Sequence, residues 1–465
     1  MLASSSGLGD SAALYACYGL HLQGCYLDHP PLIGLLTRAV TAVAGESSLG
    51  VRLVPILLFP ATAFLLHDLA ASISGRPRAG FLAVLLLVAS PVYFIGGLAS
   101  TPDAPASLFW MLAVWLAWKD VSLSIPDRRP VTRGVLVGLA LGLCVLSKFT
   151  GILLGAAYLT FLAAARRRWL LTYAVPAMLV AASCSLPVVV WNATHGWASV
   201  MHRLVWTQGG AGFSPRNLGA LLGGQLLYVS PVLAVLILVS MWKLWKERRG
   251  PDSGRLILAL SWLPAVPLWI LCLWSRVAEP HWPVMAYLPI LAVVADSWAG
   301  GSGSPVFRKS TTVAAWVAAA MTATGLVAAG TPWLTRAGVV DPATDITNEL
   351  MGWDRVAAKV AQVTPEDAII VGPHWTVCAQ AEWGMRATCP SGRTVSCLTA
   401  ERDDWDYWLP VDPRDPDTWK RLHYVTHDRW RHVDASILTL YASLLAKIEV
   451  ERGGRIVRTF RGYRR

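Results

Sequence analysis

The chain is short of charge. Only 15% of its 465 residues are Asp, Glu, Lys or Arg, where a soluble protein of this size carries about 25%. Set against 54% hydrophobic residues and 23 Trp, that shortage excludes an ordinary soluble domain and leaves a bilayer-spanning helical protein. Acidic residues are the scarcer sign, 29 against 40 basic, for a formal charge of +11. Nucleic acid fits this excess poorly, because the basic residues sit in short clusters between apolar runs rather than along one face. Juxtamembrane Arg and Lys account for it more simply. Other features are missing too. There is no GxxxxGK[ST] phosphate loop, so no nucleotide site is expected. There is no CxxC pair, so the eight cysteines lack zinc-ligand spacing. No apolar segment precedes Gly9.

What is present is a series of ten apolar segments, at about 51–71, 79–97, 103–118, 134–147, 151–165, 170–190, 218–241, 256–274, 282–298 and 312–332. The stretch 134–165 reads either as one long helix or as two short ones around Lys148. The loops between segments alternate in charge. One set holds Arg76, Arg78, Lys119, Arg128, Arg129, Arg133, Arg166, Arg167, Arg168, Lys243, Lys246, Arg248, Arg249, Arg255, Arg308 and Lys309; the other holds only Lys148, Arg203, Arg216 and Arg276. The first set is expected to be cytoplasmic, and residues 1–50 and those after 332 extracytoplasmic. Ten crossings put both ends outside, so either a first crossing lies upstream of this sequence, the reading favoured here, or the short N-terminal segment follows the first helix through the membrane.

The fold expected is mainly α, a polytopic membrane protein, in three parts. Residues 1–50 form a first outer loop with amphipathic helices. Residues 51–332 form a bundle of about ten helices. Residues 333–465 form a small outer α/β domain, with a strand in "DAIIVG" (Asp367–Gly372), a helix in "MGWDRVAAKVAQV" (Met351–Val363) and a hairpin around Gly453–Gly454. Cys144, Cys184 and Cys272 fall in membrane segments; Cys17, Cys25, Cys378, Cys389 and Cys397 fall outside, with Cys389–Cys397 a candidate disulfide.

Ionisable residues gather on the outer side: Asp10, then Asp28 and His29 before Pro30–Pro31, Asp103 in "STPDAP", Lys148 in "LSKFTG", and Arg276, Glu279 and His281 in "SRVAEPHWP". Each has a plain reading. Asp10 and Asp103 can cap helices, Lys148 can snorkel, His281 can sit at the interface and Asp28 can make a turn. Their joint placement favours chemistry, because ionisable groups at a membrane edge are expensive. A carboxylate there can take a proton from a hydroxyl, and cations can hold a phosphate leaving group.

At these residues the sequence resembles the bacterial glycosyltransferase family 39 and 83 proteins of the GT-C superfamily, relatives of dolichyl-phosphate-mannose protein mannosyltransferases and of the lipid A aminoarabinose transferase. The matching pieces are "GDSAALY", "CYLDHPPLIGLLTRAVTAVAGESSLGVRL", "SPVYFIGGLASTPDAPASLFWMLAVWLA", "GLALGLCVLSKFTGILL", "WNATHGWASV" and "EPHWPVMAYLP". The resemblance implies a membrane enzyme that takes a sugar from a polyprenyl-phosphate donor on the outer face of the cell membrane, with inversion. Carried onto this chain, it implies Asp10 as general base, with Ser11 where the family usually has Glu. It implies Asp103 as a second active-site carboxylate and Lys148 as a phosphate contact; Arg276, a cation on the same outer side, is expected to help hold the phosphate. Asp28, His29, Glu279 and His281 organise the loops or the acceptor. The expected partners are the lipid-linked donor, a lipid, glycan or protein acceptor, and membrane lipids. No cofactor is firmly expected: Asp28, His29 and His281 could form a small oxygen/nitrogen site for a divalent metal if the outer loops converge, but the sequence gives no ligand spacing. A transporter of lipid-linked sugars is the competing reading, but it should show internal repeats and a midplane polar site, whereas no clear repeat is visible. An inactive member of the same fold is the third, on the strength of Ser11.

Overall fold

The computed structural model describes residues 7–300, 303–338, 340–342, 345–388, 393–399, 401–412, 415–430 and 443–464. Helices occupy the ten apolar segments. Five are long and apolar enough to cross a membrane: Ser48–Ser74, Asp103–Leu123, Pro130–Ser147, Asp252–Trp274 and Pro305–Gly330. Two bent pairs raise the number to seven, and Pro77–Ala89, Gly151–Ala165 and Val284–Ala299 are shorter apolar helices beside them. This is a multi-pass membrane protein.

Two segments differ in detail from the sequence reading. The 134–165 stretch resolves into two helices, because Lys148 adopts an extended backbone (φ −154°, ψ 135°) that ends the first. The single segment expected at 218–241 is two helices, Pro215–Tyr228 and Pro231–Lys246, meeting at 104°. The break falls at Ser230, at φ 90°, where the following Pro231 pushes its predecessor out of the helical region and supplies no N–H.

The bundle packs closely where small residues allow it. A Cβ on Gly138 would lie 2.3 Å from the Ala177 carbonyl oxygen, so Pro130–Ser147 and Val175–Cys184 meet backbone to backbone. At one end of the bundle the basic loops are tied together. Arg76 and Arg78 donate to the Ala299 carbonyl, Arg166 pairs with Asp252, and Arg168 pairs with Asp127.

At the opposite end sits a five-stranded sheet in the order β2-β1-β3-β5-β4. Its strands are β1 (Ile369–Gly372), β2 (Thr394–Cys397), β3 (Leu422–His427), β4 (Ser443–Arg452) and β5 (Arg455–Arg464). β1 runs parallel to β2 and β3, while β5 is antiparallel to β3 and β4. The β4–β5 turn is Gly453–Gly454, both at positive φ, as a two-residue hairpin requires. The Trp375–Thr388 helix crosses from β1 to β2 and packs on the Asp10–Leu20 helix. Cys378 on that helix is bonded to Cys397 on β2. This corrects the expected Cys389–Cys397 pairing; Cys389 lies outside the described residues. The register Gly372↔Cys397 sets the end of β2 under the first turn of the helix, within reach of Cys378 and its 5.9 Å Cα separation.

One arginine fixes the sheet to the membrane helices. Arg452 on β4 is buried and donates to the carbonyls of Ala328, Ala329 and Thr331. Those are carbonyls at the C-terminus of the Pro305–Gly330 helix, left without partners by the helix itself.

Candidate active site

Asp103 is the first residue of the Asp103–Leu123 helix, and the N-cap position before it is Pro102. The carboxylate turns to the Lys148 ammonium, Nζ to Oδ1 2.7 Å. Lys148 is 5% exposed, and a buried ammonium demands such a partner. His281 lies on the other carboxylate oxygen, with Nε2 3.9 Å from Oδ2. Burial, opposed by the Asp103 charge and helped by Lys148, pushes the His281 pKa down to about 4, so at neutral pH its imidazole is uncharged. Three loops that the sequence places far apart thus meet at one point.

Asp28 and His29 form a neighbouring cluster. The Asp28 carboxylate accepts from His202 Nε2 and Arg203, each at 3.0 Å, and its carbonyl accepts from Arg203 as well. Burial opposes the Asp28 charge, but Arg203 and His202 outweigh it and hold the pKa below the ordinary carboxylate range. His29 is pushed down to about 3 by burial and by Arg203. Its Nδ1 is buried and makes no hydrogen bond among the described residues. Tyr26 N donates to the His29 carbonyl at 3.0 Å, closing the turn.

Asp10 lies apart from these groups, in the first turn of Asp10–Leu20. It is 7% exposed, and its partners come from the sheet domain. Gln380 Nε2 donates to Oδ1 at 3.0 Å, and Arg429 stands 3.7 Å from Oδ2. Burial first and the Glu349 charge second raise the Asp10 pKa to about 6, against the pull of Gln380, Arg458 and Arg429. Ser11 beside it is exposed. Arg276 does not join either cluster; it is exposed and donates to the Gly209 carbonyl at 2.9 Å. Glu279 is exposed as well, and its carbonyl accepts from Trp282 N.

Two cavities adjoin Asp103, His281 and Asp10. The first, about 240 Å³, is lined by apolar side chains of the membrane helices, among them Phe59, Leu87 and Met285, with Asp103 and His281 at its edge. The second, about 1240 Å³, lies between the bundle and the sheet domain and is lined by Asp10, Ser11, Arg52 and Glu349. Ile95, Ala99 and Thr101 line both. Among the described residues no group of three His, Cys, Asp or Glu side chains is arranged to hold a metal ion.

Sequence reasoning placed Asp103, Lys148 and His281 in separate motifs without foreseeing their contact. It missed Gln380, Glu349 and Arg429 altogether. These are ordinary polar residues on the remote sheet domain, and only the packing of Trp375–Thr388 on Asp10–Leu20 brings Gln380 to Asp10, 370 residues away in sequence.

Known proteins share both the segment and the shape. Residues 28–191 match the family model of dolichyl-phosphate-mannose-protein mannosyltransferase. The structure resembles ArnT from Cupriavidus metallidurans bound to undecaprenyl phosphate, at 17% identity and a TM-score of 0.63, over 99% of this chain and 95% of that one. The apo form of the same protein gives 16% identity and a TM-score of 0.63 over the same shares of the two chains. An Archaeoglobus fulgidus oligosaccharyltransferase tethered to an acceptor peptide gives 13% identity and a TM-score of 0.54, over 99% of this chain and 70% of that one. Comparison with curated proteins gives no match. The resemblance to that mannosyltransferase family covers residues 28–191, and the fold of nearly the whole chain is shared with ArnT.

Proposed function

We propose that the protein moves a sugar from a polyprenyl-phosphate donor to a hydroxyl acceptor, with inversion, at the extracytoplasmic face of the cell membrane. The observation that carries this is the pair of cavities meeting at Ile95, Ala99 and Thr101. The apolar one suits the isoprenoid end of a donor, and it ends at Asp103 and His281 beside Lys148. The larger one suits an acceptor and carries Asp10 on its wall. The similarity to a protein bound to undecaprenyl phosphate supports the donor class, and that to an enzyme tethered to an acceptor peptide supports transfer to an acceptor.

Each side chain then has a task. Lys148 spends one of its three N–H donors on Asp103 and keeps two for a donor phosphate, neutralising the charge that grows as the sugar–phosphate bond breaks. Asp103 holds the ammonium in place, and the uncharged His281 adds a donor or acceptor without a second charge. Asp10, with a pKa near 6, is ionised at neutral pH and basic enough to take the acceptor proton as the new glycosidic bond forms. The acceptor oxygen approaches from the Asp10 side and phosphate leaves on the Lys148 side, which is the arrangement inversion needs. Asp28, His202 and Arg203 brace the neighbouring outer loop.

Replacing Asp10 by Asn tests the assignment. At equal expression the rate should fall by about 10²–10⁴-fold; full activity in Asp10→Asn would remove Asp10 from the mechanism.

A further inference from the structure

We infer that Gln380, on the sheet domain, is a positioning residue that aims the Asp10 carboxylate and sets its proton affinity, so that the sheet domain completes the active site rather than merely covering it. The inference rests on Asp10 as the base. Gln380 is 2% exposed. Its amide nitrogen donates twice, to the Leu8 carbonyl at 2.8 Å and to Asp10 Oδ1 at 3.0 Å. Two acceptors on one nitrogen fix which way the amide faces, because the flipped amide would set its oxygen against both. Leu8 is two residues before Asp10, so one side chain holds both the carboxylate and the backbone leading into its helix.

The helix bearing Gln380 has little freedom to withdraw. Cys378, two residues earlier, is bonded to Cys397. Cys17 Sγ donates to the Ala379 carbonyl at 3.6 Å. Glu382 pairs with His21 and accepts from Trp405 Nε1. Arg386 Nε donates to Glu46 at 2.8 Å. Successive turns of Trp375–Thr388 therefore grip the first outer loop, and Gln380 projects from the middle of that contact.

The charged groups facing Asp10 come from other elements: Glu349 from the Ile346–Leu350 turn, Arg429 from the turn after β3, Arg458 from β5, and Arg52 from Ser48–Ser74 on the same cavity wall. They oppose one another, since Glu349 raises the Asp10 pKa while Arg458 and Arg429 lower it. Gln380 is the neutral partner hydrogen-bonded to the carboxylate. Removing its donor disfavours the anion.

The test is Gln380→Met in the full chain, reconstituted in lipid nanodiscs, with Gln380→Glu as a second variant. Infrared titration of the Asp10 carboxyl, taken as the difference from the same protein carrying Asp10→Asn, needs no substrate. In Gln380→Met the midpoint should move up by about one pH unit, and in Gln380→Glu further, because a second carboxylate shares the site. The acidic limb of turnover should move with it, and kcat should fall by about tenfold with donor KM unchanged. An unmoved Asp10 midpoint in either variant at native melting temperature overturns the inference. A moved midpoint with an unmoved acidic limb upholds the hold of Gln380 on Asp10 and instead contradicts Asp10 as the base.

Discussion

At the scale of single residues, environment divides the carboxylates into distinct roles. Asp28 stands against Arg203 and His202 and stays ionised. Asp10 is buried with Glu349 nearby, and its pKa rises to about 6. For a base the ionised form is the active one, so turnover should be constant above that value and fall tenfold per unit as pH drops below it. A pH–rate profile that stays flat to pH 5 would contradict the assignment. Asp404 is a different case. Burial raises its pKa to about 8, although it accepts from Leu27 N at 2.8 Å and Tyr18 Oη at 2.9 Å. A carboxyl with a folded pKa above its unfolded value of about 4 binds more protons in the folded state, so stability falls as pH rises between the two. The melting temperature should therefore decline from pH 5 to pH 8, and Asp404→Asn should flatten that decline. A slope unchanged in Asp404→Asn would show that Asp404 is not its source.

At the scale of elements, the parts visible in the sequence are those where local chemistry decides. Lys148 broke a hydrophobic run and does end a helix. Gly453–Gly454 announced a hairpin, and the strands on either side pair across it. The Ser230–Pro231 break was hidden because apolar residues continue on both sides of it, and hydropathy does not sense backbone direction. The Cys378–Cys397 bond was hidden because it depends on a parallel strand register, which no local spacing reports. Glycines give a sharper test of the packing. In Gly138→Leu the new side chain meets the Ala177 backbone, whose oxygen lies 2.3 Å from where its Cβ would be. A Cβ at Gly155 on the next helix meets nothing within 4 Å, so the side chain of Gly155→Leu starts into open space. The first should cost about 3 kcal/mol or more and the second little, read as thermal aggregation in detergent. Equal melting of the two variants would contradict the close approach of Pro130–Ser147 and Val175–Cys184.

At the scale of the whole molecule, the general plan of a membrane bundle with an outer α/β part could be read from charge scarcity, apolar runs and alternating loop charge. The candidate site was legible in its membrane helices and first outer loop. Asp103 and Lys148 stood out because charge beside apolar helices is expensive. The sheet-domain half did not, because Gln380, Glu349 and Arg429 lie on a surface where polar residues are ordinary. What joins the halves is Arg452 at the end of Pro305–Gly330 and the Trp375–Thr388 helix on Asp10–Leu20. The central claim, that this assembly spends a lipid-linked sugar on an acceptor, is tested most directly by mass spectrometry of lipids and glycans from a strain lacking the gene. One envelope glycoconjugate should lose a sugar while the corresponding polyprenyl-phosphate sugar accumulates, with both restored by the native gene and neither by Asp10→Asn. Unchanged glycans and lipid-linked sugars, or full restoration by Asp10→Asn, would contradict it.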